Sequence, residues 1–233
     1  MVRRLILWDI DGTLLTTGPV GRRALELGAC RAAGLAEAPW VAMAGKTDPQ
    51  ILKELLSLAG LAPEDVRRVL PRALEEAELV LAAAADRMRQ DGAVHPGVPE
   101  LLEALSSVEG VRQSLLTGNV AANALVKVRT FGLDRYLDTD VGAYGTGHPE
   151  RERLVPIALE RVRARRGETY RPDEVWVVGD TPRDLSCARA GGVRCLIVGT
   201  GSDGFDAVRA LDADAVVENL AETELVVKLL IGS

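Results

Sequence analysis

The 233-residue sequence predicts an α/β fold: a doubly wound, mostly parallel, Rossmann-like sheet carrying an inserted α-helical domain. Three observations predict it. Short apolar runs that end in polar or Gly residues recur along the chain, as expected of strands covered on both faces. Helical patterns alternate with these runs, which is the signature of crossover-linked parallel strands. A long stretch rich in Ala, Leu, Glu and Arg then separates the first run from the second.

The runs at 5–8, 111–116, 175–178, 193–198 and 215–217 are read as the strands, and 121–130, 154–165 and 182–190 as helices between them. In the insert, Leu25, Ala29, Ala32 and Ala33, and then Ile51, Leu52, Leu55 and Leu58, recur at helical spacing. Breaks are expected at Gly34, Pro39, Gly60 and Pro71. Gly92, Pro96, Gly97 and Pro99 mark the return to the core before the helical pattern of Leu101, Leu102 and Leu105. Hinges are expected there and at 15–19. The organisation is therefore a core of residues 1–15 and 93–233 with a helical cap domain of 16–92.

Lys plus Arg number 28 against 34 Asp plus Glu, a net charge of −6, which argues against nucleic acid or an anionic membrane as partner. No apolar run approaches the ~18 residues of a membrane span, and no small-residue cleavage site follows the run at 5–8. Three cysteines, Cys30, Cys187 and Cys195, lack metal-ligand spacing and suit free, mostly buried thiols. A cytoplasmic protein is expected.

Ligands of open α/β sheets collect beyond the carboxyl ends of the strands, and those ends are polar here. Asp9-Ile10-Asp11-Gly12-Thr13 follows the first run, Thr117-Gly118-Asn119 the second, and Gly179-Asp180-Thr181-Pro182-Arg183-Asp184 the third. Four converging carboxylates would repel one another without a cation, and an all-oxygen site that keeps several waters suits Mg²⁺. Asp9, at the strand tip, can act as a nucleophile toward phosphorus. Asp11, displaced by the turn at Gly12, can protonate a leaving oxygen and later deprotonate water. The Thr117 hydroxyl and the amides of Gly118 and Asn119 offer donors to phosphoryl oxygens. Taken singly, these residues could equally cap turns and helices or lie in solvent.

In the order and spacing of these motifs, and in Pro96-Gly97-Val98 before the second strand, the chain resembles the haloacid dehalogenase superfamily over nearly its whole length. The closest likeness is to its phosphatases with a helical cap after the first strand. Gly45-Lys46-Thr47-Asp48 resembles the substrate-specificity loop of phosphoglycolate-phosphatase-like caps. The resemblance implies that Asp9 is the nucleophile and Asp11 the acid/base. It also implies Mg²⁺ held by the Asp9 carboxylate, the Asp11 backbone carbonyl and Asp180, with Asp184 a further ligand, direct or through water. Gly45, Lys46 and Thr47 would meet a small phosphorylated metabolite from the cap.

The departure lies in the third motif, where the family usually has a Lys. The four lysines are Lys46, Lys53, Lys127 and Lys228, and none falls between Thr130 and Asp180. The segment reads His148-Pro149-Glu150-Arg151-Glu152-Arg153, so an Arg must fill the role, and Arg151 is preferred to Arg153. His148 is read as a loop residue and His95 as structural. Two other functions are compatible with parts of the sequence. A phosphomutase acting on a sugar phosphate keeps both carboxylates of the first motif. A dinucleotide-binding protein or dehydrogenase would use Gly199-Thr200-Gly201-Ser202-Asp203-Gly204 with Glu218. Few residues follow Glu218, so that segment is instead expected to be a Gly-rich loop beside the site.

Overall fold

The computed structural model describes residues 2–146 and 150–232. Among them the central sheet has six strands: β1 (Arg4–Trp8), β4 (Val111–Thr117), β5 (Ala143–Tyr144), β6 (Val175–Gly179), β7 (Arg194–Val198) and β8 (Ala215–Val217). Their order is β5-β4-β1-β6-β7-β8 and every pairing is parallel. Two short strands, β2 (Leu15–Thr16) and β3 (Ala93–Val94), pair antiparallel where the hinges were expected. They lash the two crossings between core and insert together.

Strand alternation divides the core into two layers. Ile6 and Trp8 of β1 face a cluster that includes Leu101, Leu105, Val128 and Leu230. These come from α5 (Val98–Ser106), α6 (Ala121–Thr130) and α10 (Thr223–Ile231). Leu5 and Leu7 face the opposite cluster, with Leu154, Ala158, Cys187 and Val208. That side is covered by α7 (Leu154–Arg166), α8 (Pro182–Ala190) and the short α9 (Gly204–Val208). The four β1 residues are wholly buried, the aliphatic side chains of Leu5, Ile6 and Leu7 each contributing about 1.5–3 kcal/mol. Burial on both faces leaves β1 and β6 without polar alternation, which is why their apolar runs located them.

The insert forms α1 (Val20–Ala33), α2 (Asp48–Leu58), α3 (Pro63–Ala83) and α4 (Ala85–Asp91). Leu25, Ile51, Leu52, Leu55, Ala73 and Ala77 join α1, α2 and α3 in a core of their own. Gly34 ends α1 in the left-handed region. Pro71 does not break the chain as expected; it lies inside α3. Two turns of helix precede it, and the apolar seam through Val66, Ala73 and Ala77 continues across it. Burial of that seam outweighs the local cost of proline. Cys187 and Cys195 are buried and Cys30 partly so, all three as free thiols. No described helix is long and apolar enough to cross a membrane.

Candidate active site

The carboxyl ends of β1, β4 and β6 bring the polar motifs together under the cap. Asp9 is buried, its amide bonded to Val178 O at 2.9 Å. Gly12 then turns the chain with φ of +86°, and a Cβ there would stand 2.3 Å from Asp180 Oδ2. That turn carries Asp11 outward to a half-exposed position and brings the Thr13 hydroxyl to donate to Asp180 Oδ1 at 3.0 Å. Carboxylate oxygens of Asp9, Asp180 and Asp184 lie within 4.8 Å of one another. Burial, reinforced by the neighbouring carboxylates, lifts the Asp9 pKa to about 6 and that of Asp180 to about 8. Such a cluster lacks positive charge.

Part of that charge comes from Arg151. It stands in a single 3₁₀ turn, Arg151–Arg153, before α7. The turn buries Arg151 and leaves Arg153 in solvent, 3.7 Å from Glu150. Arg151 Nη2 lies 3.2 Å from Asp9 Oδ2 and also binds Asp184 Oδ1. Burial opposes the guanidinium's charge, but Asp184 and Asp9 outweigh it and hold the pKa above its ordinary value. Asp184 is otherwise committed, its Oδ2 accepting from the Thr181 amide at 3.0 Å and hydroxyl at 2.7 Å. Its two oxygens therefore serve the local turn and Arg151, while Asp9 and Asp180 keep oxygens facing the cleft. The donor set, hard oxygens with a shortage of positive charge, fits a small divalent cation held chiefly by Asp9 and Asp180.

The second motif lies across the cleft. Thr117 is fully buried and its Oγ1 accepts from the Asn119 amide and side chain at 3.3 and 2.8 Å. Asn119 also donates to Asp11 Oδ2 at 2.8 Å. Gly118 is where the cap arrives: a Cβ there would meet Lys46 O at 2.4 Å, and its carbonyl accepts from the Asp48 amide at 2.9 Å. The predicted cap loop is thus seated on the motif. Gly45 lies against Thr181 and Arg183, Thr47 caps α2 through a reciprocal bond with Gln50, and the Lys46 ammonium turns to Glu54.

Two residues that shape the site, Lys127 and Asp48, were not among the predicted site residues. Lys127, buried on α6, places Nζ 2.5 Å from Asp11 Oδ2 and 2.6 Å from Asn119 Oδ1. Asp48, buried at the first turn of α2, accepts from the Val120 amide and from Asn123 Nδ2, both at 2.9 Å. It therefore caps the core helix α6 from the cap domain, the role considered for Asn119. Burial raises the Asp48 pKa, with Lys127 the largest opposing influence. Asn119, Asn123 and Lys127 stand four residues apart, so the polar row along one helix face was the available signal. His148 lies outside the described residues. The Gly199–Gly204 segment backs onto the acidic cluster: Thr200 donates to Gly12 O at 2.6 Å and Gly201 abuts Asp180. Its polar groups thus serve the first motif.

A family model for haloacid dehalogenase-like hydrolases matches residues 6–189. The chain belongs to that family. It is 30% identical over 232 residues to a phosphoglycolate phosphatase of Nitrosospira multiformis, covering 97% of this chain and 96% of that protein. A plasmid-borne phosphoglycolate phosphatase of Cupriavidus necator is also 30% identical, covering 92% of this chain and 89% of its own length. A hydrolase from Pseudomonas syringae has the same fold, with a TM-score of 0.68 at 18% identity over 97% of this chain and 98% of that one.

Proposed function

We propose that the chain is a phosphoric monoester hydrolase, a Mg²⁺-dependent phosphatase acting on a small phosphorylated metabolite through an aspartyl-phosphate on Asp9. Residues 1–15 and 93–233 are its catalytic core and 16–92 its cap. The observation that carries this reading is the meeting of Asp9, Asp180 and Arg151 at one strand edge, with Asp11 beside them and a cap closed over all four.

In the first step an Asp9 oxygen forms a bond to phosphorus and the bond from phosphorus to the ester oxygen breaks. Asp11 gives its proton to the departing alkoxide. In the second, water attacks phosphorus, Asp11 takes the water's proton, and the bond between phosphorus and Asp9 breaks to release inorganic phosphate. Arg151 offsets charge on Asp9 and on the phosphoryl oxygens in transit, when charge spreads over them. Thr117 and the backbone of Gly118 and Asn119 border the phosphoryl group, and Asn119 with Lys127 fixes the orientation of Asp11. Mg²⁺, held by Asp9, Asp180 and the Asp11 carbonyl, would supply Lewis-acid charge neutralisation.

The test is phosphate release from a panel of small phosphomonoesters with and without Mg²⁺, alongside Asp9→Asn. Release that needs both the metal and Asp9 is expected. An isomeric sugar phosphate formed in place of free phosphate would instead identify a mutase.

A further inference from the structure

The cleft above Asp9 has a volume of about 740 Å³, far more than a two-carbon phosphate ester fills. Its deep wall is apolar, made by Leu25 of α1, Ile51 of α2 and Leu81 of α3, with Met43 beside them. At the mouth stands Trp40, 74% exposed although it lines the cavity. Arg22 lies 5.7 Å from its ring centroid, which leaves most of the indole uncovered.

The cationic side chains that line the cleft are already matched. Among the described lining residues, Arg22 faces Glu26 at 3.4 Å, Lys46 faces Glu54, Lys127 faces Asp11 at 2.5 Å and Arg151 faces Asp9 and Asp184. Asp48 adds a further buried carboxylate close to Lys127. His95 supplies no compensating cation, since burial lowers its pKa. Beyond the phosphoryl position a substrate carboxylate would meet Asp11 and Asp48, and among the described lining residues no ammonium or guanidinium lacks a carboxylate partner. Like charges brought together in this way disfavour a ligand that would otherwise fit.

We infer that the leaving group is an uncharged alcohol or phenol with an apolar body larger than two carbons, seated against Leu25, Ile51 and Leu81 with Trp40 at the entrance, and that phosphoglycolate is a poor substrate. This rests on the phosphatase reading above for the direction of the phosphoryl group. It departs from the activity for which the two phosphoglycolate phosphatase relatives are named.

Size and charge separate in a set of four esters: ethyl phosphate, phosphoglycolate, phenyl phosphate and 4-carboxyphenyl phosphate. Steady-state kinetics of the full chain with Mg²⁺ would be paired with calorimetric binding of the same esters to Asp9→Asn. Phenyl phosphate is expected to exceed ethyl phosphate in kcat/KM by about tenfold or more, the worth of added apolar groups in a fitted pocket. The carboxylate is expected to lower kcat/KM in both pairs. Trp40→Ala, at an exposed position that folding tolerates, should narrow the preference for phenyl over ethyl by about 3- to 10-fold, the worth of one aromatic contact. Phosphoglycolate outperforming ethyl phosphate, in turnover or in binding, overturns the inference. Absence of turnover with all four esters, while the binding order holds, would instead refute the hydrolase reading and leave the pocket's preference standing.

Discussion

Arg151 Nη2 stands 3.2 Å from Asp9 Oδ2 while the same guanidinium binds Asp184, so one buried cation serves both the proposed nucleophile and a carboxylate two motifs away. Arg151→Ala should lower kcat by something like 10²–10³-fold, the loss expected on removing one preorganised stabilising group. It also strands buried Asp184, so unfolding free energy should fall by about 3–5 kcal/mol. Arg153→Ala should leave both nearly unchanged, since among the described residues its ion pair is an exposed one with Glu150. Arg151→Lys should recover turnover in part, because an ammonium cannot reach Asp9 and Asp184 together with the geometry of a planar fork. Steady-state kinetics with thermal unfolding on the three variants separates these outcomes; equal loss in Arg151→Ala and Arg153→Ala would remove the assignment.

Asp9→Asn should retain the fold and lose turnover. The amide is close to isosteric, and replacing a buried carboxylate crowded by Asp184 and Asp11 relieves repulsion. The variant is therefore expected to melt no lower than the parent chain while releasing no phosphate. Substantial phosphate release by pure Asp9→Asn protein would eliminate the covalent route.

Metal and pH should act on stability through the same carboxylates. Asp9 and Asp180 have folded-state pKa values of about 6 and about 8, above the ordinary aspartate value of 3.8. Their contribution to stability is thus complete below the unfolded value and is lost as pH rises through the folded values. In chelator, the melting temperature should fall between pH 5 and pH 8.5 relative to Asp9→Asn/Asp180→Asn protein. Mg²⁺ should restore it mainly at the upper end, where both groups ionise, and Asp180→Ala should weaken that rescue. Scanning calorimetry at several pH values reads this; a metal effect as large at pH 5 as at pH 8 would contradict it.

Strands such as β1 and β6, and the first-motif acids, were legible because burial on both faces leaves an apolar run ending at a polar tip, whereas the two-residue β5 was not read from the sequence. Arg151 was singled out for a different reason: no lysine stands between Thr130 and Asp180, and an arginine a few residues before α7 was the cation left to face the acids. Pro71 misled because a proline's local cost is visible in sequence, whereas the seam from Val66 to Ala77 that overrides it is tertiary. The pairing of β2 with β3 was invisible for the same reason, since two-residue strands carry no periodicity. Asp48 and Lys127 lie on opposite sides of the hinge in sequence and meet only once the cap is seated.

Lys127 offers the last test. Its ammonium lies 2.5 Å from Asp11 Oδ2 and 2.6 Å from Asn119 Oδ1, and Asn119 itself donates to the same Asp11 oxygen. One oxygen of Asp11, the proposed acid/base, is therefore occupied by two donors, which orients the carboxyl so that its other oxygen would meet the substrate. If Lys127 works through Asp11, Lys127→Met should reduce kcat by less than Asp11→Asn, for which a loss of ~10²–10⁴-fold is expected of a general acid/base. The double variant should then be no slower than Asp11→Asn alone, because groups that act as one unit are non-additive. If Lys127 only holds the cap to the core by its charge beside Asp48, the two losses should multiply and KM should rise with them. A double-mutant cycle in kcat and KM distinguishes the two, and Lys127→Arg adds a further reading. Arginine keeps the charge near Asp48 but places a wider head beside Asp11. Positioning of Asp11 predicts incomplete recovery of kcat, whereas a purely electrostatic tie between cap and core predicts full recovery.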